Sequence, residues 1–440
     1  MKPMVLLLAM ILLASMLTGC APKTIEPDDD INPVATAQPA PPVQPAPTDP
    51  ATQDENETST GPEEPVRAFN ENWKIAIVTQ LPWGDEYNSA KELITKYGED
   101  RIIHAIWPIS HEEQLSIDVL GNIAADPDIK AIILQGSLYS GVAIDRAREL
   151  RGDDIFIAAF NQYENVEVIA AKVDLILQVS NELTAELTAV QAKTMGADTI
   201  GFYSFERHLE IPTVVQRRER MKTKAEELGM KFVDLDAPDP IRSSTSETQQ
   251  FLTEDVPRQV AELGVNTAFY GTHCAMQAPL QRQVVQTGTL YPIPCCPSPF
   301  HRFPEVFNIP ERQGTGEFAQ NPEGPEGDYI EITEPRDTIS FVDDLRAAIA
   351  AEGATGRLST WPIWDTVMWQ ALGTMYAIEW IHGRAPQEPG VIDLDLLNTL
   401  AEDYTESLYG ERIGIVSTPL EHNGTLYPHW ITSAMHFLLL

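Results

Sequence analysis

The chain has 440 residues, 43% hydrophobic and 22% charged, the make-up of an ordinary soluble globular protein. Its 65 acids against 30 bases leave a net charge of −35, which excludes a typical nucleic-acid binder, because phosphate recognition needs a basic footprint. The same charge disfavours attraction to anionic lipid.

Lys2 precedes an apolar run from Val5 to Leu13, followed by Leu17, Thr18, Gly19 and Cys20. A charged start, a short apolar stretch and small residues make residues 1–19 a secretory signal. The run is too short for a typical transmembrane helix. Leu17 to Cys20 resemble the bacterial lipobox, and that resemblance implies lipidation of the Cys20 thiol. The expected location is the extracytoplasmic face of a cell membrane, held through the lipid anchor only. Residues 21–66 contain 11 prolines, no aromatic residue and a single base, Lys23, among many acids. Such a segment buries too little apolar surface to offset chain entropy, so residues 20–70 read as a disordered tether. About 370 residues remain, and since single cores stop growing near ~250–300 residues, two sizeable lobes are expected.

From Trp73 onward, apolar runs alternate with amphipathic stretches. Strands are expected at Lys74–Thr79, 101–107, 130–135, 155–160 and 173–179. After a helix near 181–195 they continue at Thr199–Ser204, 231–235, 267–270 and 290–294. Several runs are nearly continuous in Ile, Val and Leu, the habit of parallel strands covered on both faces. Helical faces carry Tyr87, Ala90, Leu93, Ile94 and Tyr97, and then Val214, Met221, Ala225 and Leu228. Gly98, Gly196, Gly229, Gly264 and Gly288 stand where helices should stop. Strand starts roughly 25–35 residues apart match βα units. The pattern predicts an α/β fold with two Rossmann-like lobes and parallel sheets. Lobe 1 is expected over 71–180, lobe 2 over 181–298, and a segment completing the lobes over 299–440. A (β/α)₈ barrel competes on strand count, but the close pair 155–160 and 173–179 breaks a barrel's spacing. Residues 304–337, rich in Pro, Gly and Glu, read as an irregular excursion. Helices are expected at about 336–351 and 362–382; the second carries Asp365 and Glu379 and reads as a buried packing helix. A strand at 412–417 and a turn at Asn423-Gly424 close the pattern.

The lipobox, the acidic Pro-rich tether and two successive parallel α/β halves resemble a type I periplasmic-binding-type protein. More narrowly, residues 73–80 with Leu81 and Pro82, the run 132–136 and the stretch 174–187 resemble a bacterial lipoprotein family known as domain of unknown function 3798. The similarity covers roughly residues 70–430. It implies architecture and no substrate.

In such a fold, ligands bind beyond the carboxyl ends of the strands. The residues there are Thr79, Gln80 and Trp83; Trp107; Gln135, Gly136 and Ser137; Phe160 and Asn161; Tyr203 and Ser204; Gly271, Thr272 and His273. This aromatic and neutral-polar set suits a sugar, nucleoside or similar polyol, with Trp83 and Trp107 as stacking residues. The expected role is capture of a small-molecule ligand for a membrane transporter or a sensor. A surface-anchored enzyme and a ligand-free scaffold are the alternatives.

No nucleophile-elbow, zincin, P-loop or dinucleotide fingerprint is present. The loop carrying Asp85 and Glu86 would repel a pyrophosphate; the two acids could serve as a calcium pair or a polar rim. His273 beside Cys274 is a poor nucleophile pair, because neighbours on a strand point to opposite faces. No catalytic residue, cofactor or metal ligand is therefore expected. Cys274, Cys295 and Cys296 are too few for a disulfide framework. One bridge from Cys274 to either of the others, or buried free thiols, are the two readings. Without a C-x-x-C pair a zinc site is not expected.

Overall fold

The structure, a computed structural model, describes residues 72–82, 84–108, 110, 112–310, 312–320, 329–335 and 338–440, with the strands at 312–320 and 329–335 known through their backbone alone. The signal segment, Cys20, the tether and Trp83 lie outside the described residues.

The first half runs β1 (Lys74–Thr79), α1 (Asp85–Tyr97), β2 (Ile102–Ile106), α2 (Glu113–Ala125), β3 (Ile129–Gln135), α3 (Ser140–Arg151), β4 (Phe156–Phe160), the single turn α4 (Val166–Ile169) and β5 (Leu175–Val179). The second runs α5 (Asn181–Thr194), β6 (Thr199–Ser204), α6 (Pro212–Glu227), β7 (Lys231–Asp236), α7 (Thr245–Leu263), β8 (Thr267–Gly271) and α8 (Cys274–Thr287). The remainder is α9 (Phe303–Phe307), β9 (Arg312–Gln320), β10 (Tyr329–Pro335), α10 (Thr338–Ala351), β11 (Ser359–Thr360), α11 (Asp365–Ile381), α12 (Leu394–Tyr409), β12 (Ile415–His422), β13 (Thr425–Met435) and β14 (Leu438–Leu439).

β1 to β5 are mutually parallel in the order β2-β1-β3-β4-β5; β13 adds parallel to β5, and β12 pairs antiparallel outside it. β6, β7 and β8 form a separate parallel sheet in the order β7-β6-β8. The α/β fold with two Rossmann-like lobes and parallel sheets is thus the one the structure has. β1 and β6 lie in different sheets, which excludes a closed barrel.

Period-two alternation sorts the first sheet's side chains into two layers. Ile75, Ile77, Ile133, Ala158 and Leu177 enter one core; Ala76, Val78, Ile132, Ile157 and Ile176 enter the other, under α2 and α3. The first core is covered by α11, which is buried nearly all round and so could not have been placed by a one-sided apolar stripe. Gly373 lets it approach closely: a Cβ there would sit 3.2 Å from the Ile133 side chain. The same core continues through α5 to Ile200, Phe202, Met221 and Ala268 of the second lobe, so the two sheets share one apolar interior. A third cluster holds β6, β7 and β8 against Phe341, Leu345 and Ile349 of α10 and against Leu438 and Leu440.

Several expectations need correction. Segment 290–294 is not a strand but a pair of isolated bridges, because Pro292 and Pro294 donate no ladder bonds. The excursion at 304–337 contains the antiparallel pair β9 and β10. The strand expected at 412–417 is longer and belongs to a hairpin, β12 with β13, turning on Asn423 and Gly424 at φ 51° and 74°. The five glycines expected at helix stops all carry positive φ. Among the described residues no helix is long and apolar enough to cross a membrane.

Candidate functional site

Each sheet has a topological switch point where its strand order reverses, between β1 and β3 in the first lobe and between β6 and β8 in the second. Crevices at such points are where open α/β sheets hold ligands.

At the first switch point the backbone N–H of Gln80 donates to Gln135 Oε1 at 3.0 Å. Gln80 Nε2 donates to the Gly136 carbonyl. Gln135 Nε2 in turn donates to Glu86 Oε1 at 3.2 Å. Gly136 is required by packing: a Cβ would fall 2.3 Å from the Asn161 carbonyl oxygen. Asn161 holds φ 50°, a left-handed conformation that asparagine tolerates better than most residues. Ser137 is buried, and its N–H donates to Ser140 Oγ at 2.7 Å. Thr79 is buried with Oγ1 2.9 Å from His104 Nε2. Asp85 and Glu86 form the first turn of α1, where negative charge favours the helix; they are not part of a loop.

At the second switch point Ser204 Oγ and Thr272 Oγ1 share a hydrogen bond at 3.0 Å, and His208 Nδ1 lies 3.0 Å from Thr272 Oγ1. His273 caps α8, its Nδ1 accepting from the Ala275 N–H at 3.1 Å. Burial and the neighbouring His273 lower the His208 pKa, so its imidazole is neutral at ordinary pH.

Among the described residues, none of the expected ligand residues lines the cavity between the sheets, and Trp107 and Tyr203 are sealed in the cores. Trp107 is 2% exposed, packed in the core under α2 and α3, and its indole N–H is already spent on the Gln135 carbonyl at 2.8 Å. Tyr203 is fully buried beside Phe269, and its hydroxyl donates to Asp255 Oδ2 at 2.9 Å. Both assignments treated a strand's last residues as exposed. Alternation sends Tyr203 to the core on one face of β6 and Ser204 to the other face.

Between the sheets lies a cavity of about 140 Å³. Val179 comes from the end of β5, Thr184 and Arg217 from α5 and α6, Tyr270 from β8, Trp361 and Trp364 from the segment between β11 and α11, and Asp365 from the first position of α11; residues 293–297 close it. Arg217 Nη1 donates to Tyr270 Oη at 3.1 Å, and Nη2 donates to Asn181 Oδ1. Its Nε is shut from solvent without a hydrogen-bond partner among the described residues, as are Trp361 Nε1 and Thr366 Oγ1. Burial raises the Asp365 carboxyl to about 6, and Glu86 adds to the rise. Apolar rings, a fixed cation, a titratable acid and unspent donors together make a small polar recognition site.

One wall of this cavity carries Cys295 and Cys296, and Cys274 faces both. Hydrogen bonds from Cys295 and Cys296 pull the Cys274 thiol well below its ordinary value, and that of Cys295 rises in return. All three thiols are free, and His301 joins them. No metal ligand was expected from the sequence, yet the fold brings four metal-competent side chains together. The bend at Cys295 and Cys296 puts adjacent side chains on one side, which a search for C-x-x-C spacing does not find. Sequence reasoning also missed Arg217, Tyr270, Trp361 and Trp364. Arg217 sits in a run of basic residues on α6, where nothing marks it from Arg218 or Arg220.

A model of the family described as Protein of unknown function (DUF3798) matches residues 73–322, more than half of the chain. An uncharacterised protein of Treponema pallidum (strain Nichols) is 26% identical over 167 residues, 38% of this chain and 77% of that one. A crystal structure from Clostridium difficile 630, described provisionally as a transcriptional regulator, is similar over 84% of this chain and 100% of that one, with TM-score 0.69 and 21% identity. That likeness shows the fold alone. A sugar ABC transporter structure from Actinomyces odontolyticus ATCC 17982 is more distant, with TM-score 0.43 and 8% identity over 71% of this chain and 84% of that one.

Proposed function

The chain belongs to the DUF3798 family, and we propose that this member is an extracytoplasmic solute-binding lipoprotein, anchored through lipid on Cys20, that captures a small polar ligand between its lobes. It hands that ligand to a membrane transporter or presents it to a sensor. The observation that carries the reading is the cavity between the sheets, where Arg217 Nε and Trp361 Nε1 are buried and unspent beside Asp365. Buried donors without partners are costly, and a ligand's acceptors would relieve that cost. No catalytic role is assigned. The expected ligand is a sugar, nucleoside or comparable solute, and the Arg217 guanidinium favours one bearing an acidic or strongly accepting group. Contacts to both lobes would favour a closed form over an open one.

The test is a thermal-shift screen of sugars, nucleosides and amino acids, followed by calorimetry on any hit. Arg217→Met keeps volume and removes the charge; affinity should fall by roughly 10–100-fold, the worth of one charge-assisted hydrogen bond. Unchanged affinity would remove the cavity from the binding site. The anchor is tested separately by fatty-acid labelling in cells: Cys20→Ala should abolish the label, and a labelled variant would sink the lipoprotein reading.

A further inference from the structure

Cys274 is the first residue of α8; Cys295 and Cys296 lie in the bend between Pro294 and Pro297; His301 stands just before α9. Cys274 Sγ is 3.5 Å from Cys295 Sγ and 3.7 Å from Cys296 Sγ, and the latter two are 3.7 Å apart. His301 Nε2 lies 3.8 Å from Cys295 Sγ, and all four donor atoms fall within 4.8 Å of one another. Four atoms around zinc at ordinary Zn–S and Zn–N lengths stand at the corners of a tetrahedron whose edges are about 3.6–3.8 Å. Three thiols and one imidazole whose donor atoms converge at close to that spacing are a ready ligand set.

We propose that Cys274, Cys295, Cys296 and His301 form a structural Cys₃His site for a tetrahedral zinc ion. Four protein donors fill the coordination shell, so the site is closed and does no hydrolytic chemistry. Binding releases the thiol protons to solvent and leaves three thiolates, a neutral imidazole and the dication, with net charge −1. Two features of the fold suit that charge. The N-terminus of α8 points its partial positive charge at Cys274, and the Arg217 guanidinium lines the same cavity as Cys295 and Cys296. The cysteine bend is also braced from behind. The Cys295 N–H donates to Gln277 Oε1 at 3.3 Å, while Gln277 Nε2 donates to the carbonyls of His273 at 2.7 Å and Gly271 at 3.0 Å. Such outer contacts hold ligands in place before the metal arrives. The ion would rivet residues 295–301 to the end of β8 and so fix one wall of the cavity, whatever ligand that cavity takes.

The full chain, reduced and stripped with a chelator, is offered zinc alone. One zinc per chain should survive gel filtration. Cobalt in its place should give a thiolate-to-metal charge-transfer band and the intense visible bands of a tetrahedral sulfur-rich site. Cys295→Ser with Cys296→Ser, and separately His301→Ala, should weaken zinc by more than about 100-fold, beyond what outer-shell changes cost. Because a variant could fail to fold, the unmodified chain supplies a second readout: bound zinc should protect three thiols from a maleimide reagent, and chelation should expose them. Zinc retention no greater than in the Cys295→Ser, Cys296→Ser double variant would overturn the proposal, as would an octahedral cobalt spectrum. So would a Cys274 disulfide that forms in air with zinc present and excludes the metal.

Discussion

The two switch points share a strand order and differ in what fills them. In the first lobe the polar groups close on each other: Gln80 with Gln135 and Gly136, and Gln135 with Glu86, over a Trp107 sealed beneath. In the second, Ser204, Thr272 and His208 bond to one another, while Arg217, Tyr270, Cys295 and Cys296 line the cavity between the sheets. The first is a rigid frame whose hydrogen bonds are mutually satisfied. What the second lobe adds is a buried donor without a partner, Arg217 Nε, in the cavity between the sheets. Identical topology therefore does not divide the recognition chemistry equally, because that chemistry resides in the residues past the strands rather than in the sheet.

Substitution can break this contrast at both ends. Trp107→Ala should have the largest effect, about 3–5 kcal/mol lost in urea unfolding, as for a large ring removed from a core. If that variant keeps its stability and loses only ligand binding, the first lobe is not merely a frame. Asp365 sharpens the contrast through pH. Its folded carboxyl is raised to about 6, so between pH ~4 and ~6 the folded state holds more protons than the unfolded chain, and stability falls as pH rises through that window. The loss should be on the order of 2 kcal/mol and should flatten in Asp365→Asn, as read by denaturation midpoints across pH. An unchanged slope in the variant would assign the effect elsewhere. The smallest effect is expected at Thr272→Val, about 1 kcal/mol from the hydrogen bonds with Ser204 and His208. A loss as large as that of Trp107→Ala would make the second crevice structural too.

Strands β1, β3, β4, β6 and β8 were legible because buried parallel strands write themselves as apolar runs, while the more exposed β2 and β7 were placed by the βα spacing and by Gly98 and Gly229 before them. The strand-end rule located Gln80, Gln135, Gly136, Thr272 and His273 at the two switch points, although none of them lines the cavity between the sheets. It misplaced Trp107 and Tyr203, because a strand-end rule gives position along the chain but not the face. α11 was recognisable as a buried helix, yet its partner sheet was not, since a helix apolar on every side carries no direction. Arg217, Trp361 and Asp365 meet only through tertiary packing, and the cysteines join His301 across intervals no local motif spans.

The cover of the first sheet comes from far downstream, and this bears on how the chain folds. β5 ends at Val179, but α11 begins at Asp365 and β13 at Thr425. The apolar face of the first sheet therefore waits for about 190 further residues before it is covered, a contact pattern of high sequence separation and slow assembly. Until then its parallel strands expose a face and an edge, so the first lobe cannot complete itself as an independent unit from its own amino-terminal strands. Such delay makes the late helix α11, rather than any strand of the first sheet, the element whose docking locks the molecule.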